Sequence, residues 1–217
     1  MTQKEDWNYS AQELLQKFDV TEQGLNNARV EETRRQTGEN ILQEGKKKST
    51  LEVFLGQFCD LLVVILIIAA IISMFSGNTE STIVILLVLI MNAVLGTVQH
   101  VKAQRSLESL KQLSAPNAKV IRNGVKQEVP SREIVPGDIV MLEAGDMIVA
   151  DGRILHNYSL QVNESSLTGE STNVEKTDTV IEGKAALADR VNMVYSGSLV
   201  TYGRAQVLVT GTGMKTE

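Results

Sequence analysis

Two apolar blocks set almost against each other constrain this chain more than any other feature. From Val53 to Phe75 the only charged residue is Asp60, and from Thr82 to Val98 there is none. A helix of roughly 20 mostly apolar residues crosses a bilayer core of ~30 Å. The first block meets that length, and the second reaches it by including Ser81 and Gln99 to Val101. Neither block carries a polar stripe, so the pattern predicts membrane spans at 53–75 and 81–101 rather than two buried helices of a soluble core.

The link Ser76-Gly77-Asn78-Thr79-Glu80-Ser81 is short enough to force an antiparallel hairpin, and Glu80 is its only charge. Lys46, Lys47 and Lys48 precede the first block, while Lys102, Arg105 and Lys111 follow the second. The positive-inside rule then predicts a multi-pass chain with both ends in the cytoplasm. Met1 to Tyr9 is polar and partly acidic, unlike a cleavable signal peptide. Cys59 is the only cysteine, so no disulfide forms within the chain, which suits a reducing compartment. His100 and His156 are the only imidazoles, poor material for a zinc site or a Ser-His-Asp arrangement. A net charge of -5 argues against nucleic acid as a partner.

Around the hairpin the chain divides into N-terminal helices (1–48), the hairpin itself (49–103), a helical stalk (104–116) and a β-rich region (117–217). Ser10-Ala11-Gln12-Glu13 reads as a capping box followed by the apolar stripe Leu14, Leu15 and Phe18. Thr21 is expected to cap a second helix carrying Leu25, Ala28 and Val30, with Val30 off the stripe and Gly38 as its stop. Such helices are marginal alone and are expected to dock elsewhere on the molecule. The stalk places Leu107, Leu110 and Leu113 three apart before Pro116 ends it.

The β-rich region opens with a hairpin signal, Val120-Ile121-Arg122-Asn123-Gly124-Val125, in which Asn-Gly supplies the positive φ angles of a type I′ turn. Pro136-Gly137-Asp138, Ala144-Gly145-Asp146 and Asp151-Gly152 punctuate strands expected at Ile139 to Leu142, Met147 to Val149 and Arg153 to His156. Further strands are expected at Leu160 to Val162, Met193 to Tyr195 and Ala205 to Thr210. Many short strands predict a small β-sandwich or distorted barrel. Asn8, Asn157 and Asn163 match the glycosylation pattern but fall on the predicted cytoplasmic side.

The strongest candidate for chemistry is Thr168-Gly169-Glu170-Ser171. A carboxylate that orients and deprotonates water for attack at phosphorus must stand on an exposed loop whose neighbours do not obstruct approach. Gly169 meets the steric need, and Thr168 and Ser171 can hydrogen-bond the loop into one shape. A solvated turn would have a similar composition.

The surrounding motifs extend this reading. Ile134-Val135-Pro136-Gly137-Asp138-Ile139-Val140, Gly145-Asp146, Ala150-Asp151-Gly152-Arg153, Leu167-Thr168-Gly169-Glu170-Ser171 and Asn192-Met193-Val194-Tyr195-Ser196-Gly197 occur in one ordered series. With Gln57-Phe58-Cys59-Asp60-Leu61-Leu62 and Asn92-Ala93-Val94-Leu95-Gly96 in the spans, the chain resembles the N-terminal portion of a P-type cation-transporting ATPase, nearest the calcium-pump branch. The resemblance implies a membrane α-helical hairpin plus a mainly-β cytoplasmic actuator domain, a distorted β-sandwich or jelly roll completed by short N-terminal helices. It implies that Glu170 activates the water that hydrolyses an aspartyl phosphate held on another domain, with Thr168 and Gly169 shaping the approach. Rotation of the domain would then pull on the stalk and couple hydrolysis to ion release.

The implied partners are the bilayer, the phosphorylation and nucleotide domains of a complete pump and the transported cation. ATP and Mg2+ serve the complete pump and are not expected to bind this chain. The phosphorylation motif Asp-Lys-Thr-Gly-Thr is absent from these 217 residues, and Thr210 to Glu217 reads as a strand leading toward a further segment. The expectation is therefore a fragment of a calcium exporter in a bacterial plasma membrane. The alternatives are a stand-alone membrane-anchored β-domain that regulates a full-length pump, or a pump for H+, Na+ or Mg2+. Asp60 and Asn92 are intramembrane candidates for ion ligation, although Asp60 lies near the cytoplasmic end and could reach water. Gly211-Thr212-Gly213-Met214-Lys215-Thr216 lacks the glycine before lysine that a P-loop needs and reads as a strand end.

Overall fold

The four residues Ile139 to Leu142 turn alternately toward two different cores, and that alternation organises the β region. The computed structural model describes residues 4–42, 49–113, 116–169 and 172–217. It forms two units, Met1–Gln43 with Ala115–Glu217, and Glu44–Ser114. In the first, seven strands make one antiparallel sheet: β1 (Asn117–Arg122), β2 (Val125–Pro130), β3 (Ile139–Glu143), β4 (Asp151–Asn163), β5 (Asn173–Glu175), β6 (Met193–Val194) and β7 (Leu199–Gly211). Their order is β2-β1-β3-β7-β4-β5, with β6 also paired to β4.

Successive strand residues face opposite sides of a sheet. Val140 and Leu142 join Val120, Ile154, Val207 and Val209 in one core, while Ile139 and Met141 join Ile121, Leu155 and Leu208 in another. No described helical residue belongs to the first core, so strands and loops close over it themselves. The second core is covered by the N-terminal segment, through the helical residues Leu14 and Val30 and through Val20 and Leu25 between the helices.

Local signals in the sequence account for several elements directly. Helix α1 (Ala11–Lys17) starts at a capping box in which Glu13 N donates to Ser10 Oγ and Ser10 N donates to Glu13 Oε2. Asn123 and Gly124 take φ of 52° and 72° and close the β1–β2 hairpin at Arg122↔Val125. Gly38 ends α2 (Asn27–Thr37) at φ 83°.

Three expectations are corrected. The helix expected from Thr21 begins instead at Asn27, capped by Asn26 Oδ1 on Arg29 N at 2.8 Å. Leu25 lies outside it in a bridge beside Arg122, and Val30 is the residue α2 buries. The strands expected at Arg153–His156 and Leu160–Val162 are parts of the 13-residue β4, whose register shifts between Ile154 and His156 and between Tyr158 and Gln161. Ser159 at φ 55° marks one irregularity, and such bulges break the two-residue period that would reveal a continuous strand. Met147 to Val149 contributes only a bridge, Met147↔Leu199.

The second unit contains α3 (Thr50–Gly56), a 3-10 turn at Gln57–Cys59, α4 (Leu61–Phe75) and α5 (Thr79–Leu113). The first apolar block is therefore not one helix: the chain bends by 67° at Asp60. Asp60 takes an extended ψ of 138° and its carboxylate accepts from Leu62 N at 2.9 Å, capping α4. Alone, α4's 15 residues reach only ~22 Å. Thr79–Leu107 of α5 is long and apolar enough to cross a membrane, and α3 with α4 qualifies if the bent pair counts as one span. A buried stripe of Thr82, Leu89, Ala93 and Thr97 runs along α5, with Val63 and Ala70 buried on α4. Thr82 and Thr97 donate to the carbonyls of Asn78 and Ala93, so the stripe carries no unpaired hydroxyl. A Cβ on Gly96 would stand 2.5 Å from Gln57 Oε1, so the Gln57 side chain rests on bare α5 backbone. Lys46, Lys47 and Lys48, used above for orientation, lie outside the described residues.

Candidate functional site

Strand β4 ends at Asn163 and β5 begins at Asn173, and the two pair at Gln161↔Glu175, Val162↔Val174 and Asn163↔Asn173. The connection between them is thus rooted on both sides in the sheet. Its first half has local causes. Asn163 Oδ1 accepts from Ser165 N and Oγ at 3.1 and 2.6 Å, an Asx-type turn. The Glu164 carbonyl accepts from Leu167 N and Thr168 N at 2.9 and 3.0 Å, and from Thr168 Oγ1 at 3.1 Å. These bonds wind Ser165–Thr168 into one helical turn, α6.

Gly169 ends that turn in the left-handed region, φ 77° and ψ -3°, with its N–H on the Ser165 carbonyl at 3.0 Å. A Cβ there would meet nothing within 4 Å. Glycine is therefore favoured by the backbone angle and not by crowding, and the approach to this side of the turn is open. Of the expected site residues, Thr168 is half-buried and Gly169 is exposed, adjacent at the end of α6. Glu170 and Ser171 lie outside the described residues.

The root of the loop holds a charge pair that sequence reading passed over. Glu164 Oε1 stands 2.5 Å from Lys176 Nζ, and each side chain is only 1% exposed. Lys176 N donates to the Leu160 carbonyl at 2.9 Å, and the Lys176 carbonyl accepts from Asn157 Nδ2 at 2.6 Å. Its ammonium lies 5.8 Å from the centre of the buried Tyr195 ring. Burial draws the Lys176 ammonium below the usual lysine range, against the attraction of Glu164. Burial also pushes the Tyr195 phenol up to about 12. An acid just after one strand and a lysine just after the next were the available signals, but only strand pairing brings them together.

The other candidates are dispersed. Asp60 is occupied as a helix cap, and Asn92 is exposed on α5. His156 Nε2 meets Glu22 Oε1 at 3.4 Å on the surface. Among the described residues no three His, Cys, Asp or Glu side chains gather to hold a metal ion. After Gly211 the chain makes a 3-10 turn, Gly213–Lys215, with Gly213 N on Asn40 Oδ1 at 2.8 Å. Asn8 and Asn157 donate their amides to backbone carbonyls, and Asn163 caps the turn into α6, so all three pattern asparagines serve the fold.

Comparison with known proteins gives two family matches, the P-type ATPase actuator domain over residues 112–217 and the cation transporter/ATPase N-terminus over residues 6–73. The chain is 47% identical to calcium-transporting ATPase 1 of Lactococcus lactis over 97% of its own length and 24% of that protein. It is 45% identical to a calcium-transporting ATPase of Listeria monocytogenes over 98% of its length and 24% of the relative. A calcium-transporting ATPase of Bacillus subtilis is 42% identical over 89% of the chain and 22% of the relative. The chain thus spans about a quarter of the length of these relatives.

Proposed function

The chain belongs to the P-type cation-transporting ATPases, and from that membership we propose that it supplies the actuator unit and first two membrane spans of a calcium-exporting pump. The observation that carries the reading is the loop from β4 to β5: a turn rooted in the sheet on both sides, with an open left-handed glycine immediately before Glu170. A connection anchored at both ends by strand pairing starts closer to one fixed geometry, which lowers the cost of presenting its acid to a site on another domain.

In this reading Glu170 orients and deprotonates the water that attacks an aspartyl phosphate elsewhere in the pump. Gly169 keeps the approach open, and the Thr168 hydroxyl holds α6 to the Glu164 carbonyl. ATP is the phosphoryl donor and Mg2+ its counter-ion, both held by domains beyond these 217 residues. Residues 114–116 link the β unit to α5 in sequence, so movement of the β unit is passed to the spans through that short connection. The protein lies in the plasma membrane with both ends of this stretch cytoplasmic. Calcium as cargo follows the names of the relatives at 45–47% identity.

The test is Glu170→Gln in the complete pump. Phosphorylation by ATP should proceed while the phosphoenzyme decays at least about 100-fold more slowly, the usual scale for losing a general base. Unchanged decay would remove Glu170 from the chemistry.

A further inference from the structure

We infer that the buried Glu164–Lys176 ion pair is the positioning device for the dephosphorylation loop, acting on the reaction through Glu170 rather than touching the phosphate. The inference rests on the function proposed above, which gives the loop its task. Glu170 stands six residues after Glu164 and six before Lys176, so the pair clasps the two ends of the segment at equal distance from its acid. The contact is 2.5 Å between side chains that are each 1% exposed.

Each partner is also tied to the loop by its backbone. The Glu164 carbonyl accepts the three hydrogen bonds that build α6, so the residue fixed by its carboxylate is the one on which the turn is wound. Lys176 joins the Leu160 carbonyl through its N–H and the Asn157 amide through its carbonyl, which anchors it to β4. Displacing either side chain therefore moves one foot of the loop relative to the other. A reacting group misplaced by about 1 Å can cost ~100-fold in rate.

Stability alone does not call for such a pair. Replacing a buried ion pair with well-packed apolar residues is often neutral or stabilising, whereas removing one partner leaves an uncompensated charge. That asymmetry separates a positioning role from a merely structural one. In the complete pump, E164M/K176M should fold and be phosphorylated by ATP at close to the parent rate, yet its phosphoenzyme should decay about tenfold or more slowly. K176R, which restores a cation to the same carboxylate, should recover most of the decay rate.

Parent-like decay in E164M/K176M, or loss of phosphorylation and decay in equal measure, would overturn the inference. If the double variant does not fold, K176R against K176M supplies the same comparison: slow decay in both or in neither rejects positioning by charge pairing. Glu170→Gln measured alongside separates the two claims. Normal decay in that variant removes the proposed function itself, whereas blocked decay there with parent-like decay in E164M/K176M removes only the role of the pair.

Discussion

Arg122 donates from Nε and Nη2 to the two carboxylate oxygens of Asp138, at 2.8 and 2.6 Å, with both side chains buried. Asp138 Oδ2 also accepts from Val135 N at 2.9 Å, and Arg122 Nη2 reaches the Glu133 carbonyl at 3.0 Å. The pair thus ties the end of β1 to the Pro136-Gly137-Asp138 turn that starts β3. Removing one member of a buried pair leaves the other charged and unpaired, at a cost of about 3–5 kcal/mol. Asp138→Ala should lose that much stability in denaturant titration followed by Trp7, the only tryptophan in the sequence. A loss under about 1 kcal/mol, the scale of a surface pair, would contradict this account.

Gly24 brings the N-terminal segment directly against the backbone of β1. At φ 76° it donates from N to the Thr21 carbonyl, and a Cβ on it would stand 1.8 Å from the Ile121 carbonyl oxygen. Gly38 has φ 83° but nothing within 4 Å. Alanine at position 38 should cost only its backbone strain, about 1 kcal/mol. Alanine at position 24 should add a steric clash and cost about 2–4 kcal/mol. Equal unfolding midpoints for the two variants would show that the contact at Ile121 relaxes freely.

Arg153 is fully buried and gathers backbone oxygens from separate segments. Its guanidinium donates to the carbonyls of Asp178 at 2.9 Å, Thr179 at 3.2 Å, Tyr9 at 3.4 Å and Asn192 at 3.4 Å, and to that of Ile154. Burial lowers its pKa to about 10, opposed by Asp178. A lysine has three donors on one point and cannot span this set. Arg153→Lys should destabilise the protein by about 2–4 kcal/mol through the carbonyls left unpaired. Full retention of the thermal midpoint would argue that water replaces the guanidinium.

The α1 cap carries a pH signature. The Glu13 carboxyl is held down to about 2, from its ordinary 4.5, first by the Ser10 backbone N–H, then by the Ser10 hydroxyl and by Lys4. A depressed carboxylate contributes stability that is complete above the unfolded pKa and is lost as pH falls through the folded one. The cap should therefore persist below pH 4.5 and open near pH 2. Carboxyl-carbon NMR of Glu13 should show that midpoint, and Ser10→Ala should raise it part of the way by removing the hydroxyl while keeping the N–H. A parent midpoint near 4.5 would show that the cap is not closed in solution.

What the sequence determined alone is what contiguous residues encode. The Ser10 capping box, the Asn123-Gly124 turn, the stop at Gly38 and the apolarity of the two blocks each depend on a few neighbours whose conformational preferences are intrinsic. At Thr168-Gly169 the end of α6 has the same local origin, since glycine tolerates the left-handed angle that closes the turn. What only the tertiary structure decided depends on partners far along the chain. Continuity of β4 requires β7 alongside it through four register shifts, and the position of α2 depends on Leu25 leaving the helix to lie beside Arg122. The break at Asp60 was hidden by uniform apolarity, because composition cannot say whether one acid interrupts a helix or caps the next. Glu164 meets Lys176, and Arg122 meets Asp138, because sheet pairing and a shared turn exclude water around both partners. Burial turns ordinary acids and bases into specific anchors, and burial is a property of the fold, not of the residue.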